Sequence, residues 1–95
     1  MARVVHFEIG ADEPERAVNF YRDVFNWKVD KWEGPMDYWL LMTGKEEEPG
    51  IDGAIMARNP AQPVINTVDV ASVDDTIKKV SDAGGKVVVE KMAVP

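Results

Sequence analysis

The fold is decided by one stretch near the N-terminus, Arg3-Val4-Val5-His6-Phe7-Glu8-Ile9, in which apolar and polar side chains alternate. Alternation of this kind predicts a β-strand with one apolar face. His6, the only histidine of the chain, and Glu8 lie on the polar face, opposite Val5, Phe7 and Ile9. An imidazole and a carboxylate therefore project from one surface. Two interpretations fit this arrangement: a functional site, or the solvated side of an edge strand.

Composition predicts a single globular domain whose ligand is a small molecule. The chain has 95 residues, of which 45% are hydrophobic and 29% are charged. Its net charge of -6 argues against nucleic acid and against an anionic membrane surface, because both are polyanions. The chain has no cysteine and no apolar run long enough for a signal peptide or a membrane span. These features favour a cytoplasmic protein.

The first half of the chain predicts one strand, one helix and three further strands. Apolar residues at three- and four-residue spacing predict a helix that ends near Phe25; they are Ala17, Val18, Phe20, Tyr21, Val24 and Phe25. Strand-forming residues then occupy 27–32, 38–42 and 51–57, separated by segments that contain Gly and Pro.

The pattern restarts after the linker 59–63. Residues 64–70 predict a strand, Ser72 can cap a following helix, and residues 86–90 predict another strand. We interpret the chain as one domain, with module one at 1–58 and a partial module two at 64–95. The closing strands of module two would come from chain beyond residue 95 or from another copy. Because strand edges would be left unpaired, we expect a homodimer.

Four segments resemble a known family: residues 5–9, 16–27, 49–53 and 82–87. The most specific of them contains Phe-Tyr-x-x-Val-Phe-x-Trp, which ends at Trp27. They look like the glyoxalase/bleomycin resistance/extradiol dioxygenase family, or vicinal oxygen chelate superfamily, and most like its small branch related to lactoylglutathione lyase. The resemblance implies an α+β fold of paired βαβββ modules whose sheet curls around a cavity, with module two incomplete at its C-terminus.

The resemblance also implies a divalent metal. His6 matches the family's histidine ligand on the first strand. At the corresponding position of the second module this chain has Ile65, or Val64 if the alignment slips by one residue, and neither can bind a metal. The acid nearest to the family's carboxylate position in module one is Asp52. His6 is therefore the metal ligand that the resemblance supports.

Three functions remain open. The first is a lyase or isomerase that acts next to a carbonyl, with Glu8 as the proton acceptor and a substrate pocket formed by Trp27, Trp39 and Met56. The second is a non-catalytic dimer that binds a small molecule or drug, as the bleomycin-resistance members do. The third is an interaction domain whose open strand edges pair with another protein.

Overall fold

The computed structural model describes residues 2–58 and 63–93. In chain order they form β1 (Arg3–Ala11), α1 (Pro14–Phe25), β2 (Lys28–Lys31), β3 (Tyr38–Met42), β4 (Asp52–Ala57), β5 (Val64–Asp69) and α2 (Val73–Asp82). The strands form one five-stranded sheet in the order β2-β3-β4-β1-β5. β1 is parallel to β4, and all other neighbours are antiparallel. The predicted α+β class is confirmed, with β1 to β4 and α1 forming a complete βαβββ module.

The core lies between α1 and one face of the sheet. Val18 of α1 is 4% exposed, and it packs against Leu41 and Ile55, which are fully buried. Phe7 and Ile9 of β1 pack on the same cluster. Burying side chains of this size contributes about 1.5–3 kcal/mol each. This cluster therefore determines which face of β1 is covered by the helix, and His6 and Glu8 lie on the opposite face.

The end of α1 explains the most family-specific part of the sequence. Asn26 adopts the left-handed conformation, with φ of 59°, and reverses the chain after the helix. Trp27 then folds back, and its ring lies 5.3 Å from the rings of both Tyr21 and Phe25 and 6.3 Å from that of Phe7. The motif that ends at Trp27 thus builds an aromatic cluster on the helix side of the sheet.

β5 and α2 follow the βαβββ module in the chain. β5 adds to the sheet beside β1 in antiparallel orientation, with a bulge between Val4 and His6. Ser72 caps α2, because its hydroxyl accepts a hydrogen bond of 3.2 Å from the N–H of Asp75. None of the residues of α2 is buried. Val73 and Val80 are 48% and 38% exposed, so apolar side chains of this helix remain uncovered.

One strand predicted from the sequence is absent: residues 86–90 form no β-ladder. Val88 and Val89 are 67% and 66% exposed. The prediction was wrong because β-branched residues favour a strand only where a neighbouring strand is available for pairing. The predicted linker 59–63 falls almost entirely on residues 59–62, which lie outside the described residues.

Candidate functional site

The face of the sheet opposite α1 carries His6 and Glu8, as the alternation in β1 predicts. In the sheet, Glu8 lies beside Ala54 of β4, which lies beside Leu40 of β3. Residues that are paired across strands point to the same face. Ala54 presents only a methyl group between its larger neighbours, so a long side chain from β3 can reach across β4 to β1.

Tyr38 makes this crossing and joins the two polar residues of β1. Its hydroxyl donates a hydrogen bond of 2.6 Å to Oε2 of Glu8, and the same oxygen lies 2.8 Å from Nε2 of His6. The rings of His6 and Tyr38 lie 18° from parallel, with their centroids 6.5 Å apart. All three side chains are half-buried. They form a hydrogen-bonded cluster, which we call the His6–Tyr38–Glu8 cluster.

The proton count of this cluster determines what it can offer a ligand. A phenol carries one proton, and Tyr38 donates it to Glu8. The bond between His6 and Tyr38 must therefore use a proton on Nε2 of His6. In the neutral imidazole Nδ1 is then an acceptor, and Oε1 of Glu8 is a second acceptor. The two donors at the centre of the cluster are thus already in use.

The surroundings of Tyr38 hold its hydroxyl in the protonated form. Burial, the hydrogen bond to Glu8 and the negative charge of that carboxylate, in decreasing order, raise the pKa of the Tyr38 phenol well above its usual range. Tyr38 therefore serves as a hydrogen-bond donor at neutral pH and well into the alkaline range.

A cavity of about 500 Å³ opens beside the cluster. Its lining residues come from β1, β3, β5 and the loop between β2 and β3; they are His6, Glu8, Trp32, Pro35, Met36, Tyr38, Leu40 and Thr67. Pockets for small organic molecules typically measure about 300–1,000 Å³ and combine apolar walls with a few convergent polar groups. The volume and the lining of this cavity match both features.

The loop between β2 and β3 forms one wall of the cavity. The backbone N–H of Trp32 donates a hydrogen bond of 2.7 Å to the carbonyl oxygen of Tyr38, which fixes the start of the loop. The ring of Trp32 lies against Gly34, where a Cβ atom would overlap the ring. It meets the Tyr38 ring edge-on, with centroids 5.9 Å apart. Gly34 therefore allows Trp32 to fold over the site.

The three residues expected to form a substrate pocket lie in different places. Trp27 belongs to the aromatic cluster on the helix side of the sheet. Trp39 also packs on the helix side, with Nζ of Lys31 5.3 Å from its ring. Met56 is paired with Tyr38 and shares its face, but it does not line the cavity. The structure therefore brings together His6 and Glu8, and it places both tryptophans across the sheet from them.

Sequence reasoning missed Tyr38, Trp32 and Thr67. Alternation along 38–42 places Tyr38 and Trp39 on opposite faces of β3, but it does not say which of them faces the helix. Thr67 is paired with His6 in the sheet, a register that depends on the bulge before His6. Trp32 follows a strand and belongs to a loop. A signal for Tyr38 did exist, since a tyrosine on an otherwise apolar strand needs a partner for its hydroxyl.

Comparison with known proteins identifies the family. The model of the Glyoxalase/Bleomycin resistance protein/Dioxygenase superfamily matches residues 3–94. The chain belongs to this superfamily. The membership predicted from the four sequence segments is confirmed, while the branch related to lactoylglutathione lyase stays a prediction. No curated protein matches the chain. Neither of the two helices in the described part of this superfamily domain has the length and apolar character needed to cross a membrane.

Members of this superfamily often use a divalent metal, and such a site normally needs three or more converging ligands. Within residues 2–58 and 63–93, no three His, Cys, Asp or Glu side chains converge in this way. Asp52, the acid nearest to the family's carboxylate position, instead accepts a hydrogen bond of 2.9 Å from the N–H of Thr43. Both Nε2 of His6 and Oε2 of Glu8 are engaged by Tyr38. The described residues of one chain therefore do not fit a divalent metal.

Proposed function

We propose that this domain binds a small organic molecule in the cavity beside the His6–Tyr38–Glu8 cluster. The observation that carries the proposal is the convergence of three polar side chains from two strands on a cavity whose other walls are largely apolar. Apolar walls supply the affinity of such a pocket, and a few placed polar groups supply orientation. This function needs no group beyond the described residues of the chain.

A blocking variant tests the proposal. Thr67 and Asn66 are adjacent exposed residues of β5, but Thr67 lines the cavity whereas Asn66 is paired with Phe7, on the helix side. Thr67→Trp should fill part of the cavity, and Asn66→Trp adds the same group to the opposite face. Aromatic fragments that bind the wild-type protein, detected by saturation-transfer NMR, should lose binding to Thr67→Trp and keep it with Asn66→Trp. Equal binding by both variants would place the fragments elsewhere and refute the proposal.

A second candidate function is a lyase or isomerase that acts next to a carbonyl. It is favoured by the 2.6 Å hydrogen bond between the Tyr38 hydroxyl and Glu8, which places a carboxylate and a phenol together at the cavity. In this candidate, Oε1 of Glu8, which Tyr38 leaves free, accepts a proton from the carbon next to the carbonyl, and the electron pair of the broken C–H bond moves to the carbonyl oxygen.

Hydrogen exchange into a bound ketone distinguishes the two functions. An enzyme of this type should promote exchange with D₂O at the carbon next to the carbonyl, and Glu8→Gln should slow the exchange about 10²–10⁴-fold. A protein that only binds should leave the exchange rate of the ketone at its value in buffer. Proton NMR of a bound small ketone measures this rate directly.

We also propose that two copies of the chain associate through the β5 edge. In the described part of the chain, β5 has a neighbouring strand on one side only. Val64 and Val68 of β5 are 61% and 47% exposed, and Val73 of α2 is 48% exposed. A second copy that pairs with this edge would satisfy its backbone groups and cover the apolar side chains.

Sedimentation at micromolar concentration tests the association. The expected species has twice the 10.6 kDa of one chain. Val68→Lys should shift it toward monomer, while Val24→Lys, at a valine of α1 that is 56% exposed, should not. A wild-type protein that sediments only as a monomer would rule the dimer out.

A further inference from the structure

The charges and hydrogen-bond donors around the cavity narrow the chemical class of its ligand. Among the described residues that line the cavity, Glu8 is the only carboxylate, and there is no Lys or Arg. The chain as a whole carries a net charge of -6. An anionic ligand would therefore meet a carboxylate without a basic partner, while a cation would meet a complementary charge.

The hydrogen bonds within the His6–Tyr38–Glu8 cluster also favour a ligand that carries hydrogen-bond donors, as an organic cation with N–H groups does. Nε2 of His6 donates to the Tyr38 hydroxyl, and that hydroxyl donates to Oε2 of Glu8. The free positions are therefore acceptors, at Oε1 of Glu8 and Nδ1 of the neutral imidazole. A ligand that lacks donors would leave these half-buried acceptors unsatisfied, which is costly. A ligand with N–H groups would satisfy them.

The walls of the cavity suit a flat apolar body attached to such a cation. Trp32 and Tyr38 present aromatic rings that meet edge-on at 5.9 Å, and Met36 and Leu40 add flexible apolar contacts. Ring faces attract a cationic head within about 6 Å of the ring centroid.

We infer that the cavity binds a protonated amine that carries an aromatic or aliphatic body, and that Glu8 accepts the hydrogen bond from its ammonium group. The inference rests on the proposed function of the cavity and adds the ligand class. It assigns Oε1 of Glu8 to ligand recognition, with Tyr38 holding the carboxylate in place through the other oxygen, Oε2.

Three probes with the same body and different heads test the ligand class. They are 2-(1-naphthyl)ethylamine, 2-(1-naphthyl)ethanol and 1-naphthaleneacetate, which are cationic, neutral and anionic at pH 7. Isothermal titration with the wild-type protein should give the lowest Kd for the amine, about tenfold below that of the alcohol, which corresponds to about 1.4 kcal/mol. The anion should bind more weakly than the alcohol.

Two variants that remove the same charge test whether the preference for the amine comes from Glu8. Glu8→Gln and Glu47→Gln remove the same charge, but Glu47 lies in the exposed loop after β3, outside the cavity. Glu8→Gln should bring the Kd of the amine to that of the alcohol, and Glu47→Gln should leave the tenfold preference intact.

Each outcome decides one claim. A carboxylate probe that binds as tightly as the amine, or an amine preference that survives Glu8→Gln, would overturn the ligand class and leave the proposed binding function standing. Failure of all three probes to bind the wild-type protein at millimolar concentration would overturn the binding function, and the ligand class with it. The order of the three probes on the wild-type protein decides the ligand class even if Glu8→Gln does not fold.

Discussion

Removal of the Tyr38 hydroxyl should destabilise the protein, although the change deletes no buried apolar group. Tyr38→Phe removes one hydrogen bond of 2.6 Å to a carboxylate and one of 2.8 Å to an imidazole. Hydrogen bonds to charged groups contribute about 1.5–3 kcal/mol and neutral ones about 0.5–1.5 kcal/mol. Both bonds share one oxygen, and water from the open cavity can reach the freed groups. We therefore expect a loss of about 1.5 kcal/mol, near the lower end of this range.

Urea denaturation of two matched variants measures this loss. Tyr21→Phe removes the same hydroxyl from a tyrosine on the helix side, whose ring stacks on Trp27 at 5.3 Å. That stacking stays in the variant, so Tyr21→Phe should cost about 0.5 kcal/mol or less. In a domain of this size, the loss in Tyr38→Phe corresponds to a decrease in Tm of about 6–12 °C. If the two variants are equally stable, the cluster makes no net contribution and the reasoning is refuted.

Three further predictions concern the packing and the ionisation of the same sheet. Gly53→Ala should cost about 1–3 kcal/mol in urea denaturation, because its Cβ would lie 2.5 Å from the Phe7 ring; an unchanged midpoint would show that the ring moves aside freely. Leu41→Ala should cost about 2–5 kcal/mol by the same measurement, because Leu41 is fully buried, and a loss below about 1 kcal/mol would contradict the proposed core. In absorbance titrations at 295 nm, the Tyr38 phenol should ionise above the usual tyrosine range, and Glu8→Gln should lower its pKa part of the way, because burial is the larger cause. Because folding raises the pKa of the Tyr38 phenol, the protonated hydroxyl contributes its full stabilisation below about pH 10, and this contribution is lost as the pH rises through the folded-state pKa. The difference in unfolding free energy between wild type and Tyr38→Phe should therefore decline above about pH 10, and a constant difference would contradict the raised pKa.

Local patterns were sufficient to predict the first module. The alternation of β1 and the apolar stripe of α1 are periodic signals that a single segment carries by itself, and both elements form as predicted. The same alternation separated His6 and Glu8 from Phe7 and Ile9. The face of these two polar residues was therefore predictable from the sequence.

The partners of the two polar residues were not predictable. Tyr38 reaches them because β4 lies between β3 and β1 and presents the small Ala54 at the crossing. Strand order and register are tertiary properties, and neither follows from the pattern of one strand.

Two predictions failed because they depended on tertiary neighbours. Residues 86–90 have strand-forming side chains but no neighbouring strand in the described chain. Trp27 was assigned to the apolar wall of the pocket, whereas its position one residue after Asn26 places it on the helix side.

The most direct test of the central claim uses the indole N–H signals of the three tryptophans. Trp32 lines the cavity, while Trp27 and Trp39 pack on the helix side of the sheet. In ¹H–¹⁵N NMR spectra, titration with 2-(1-naphthyl)ethylamine should shift the Trp32 indole signal and leave the other two in place. Shifts of the Trp27 or Trp39 signal with an unchanged Trp32 signal would contradict binding on the face of His6 and Glu8.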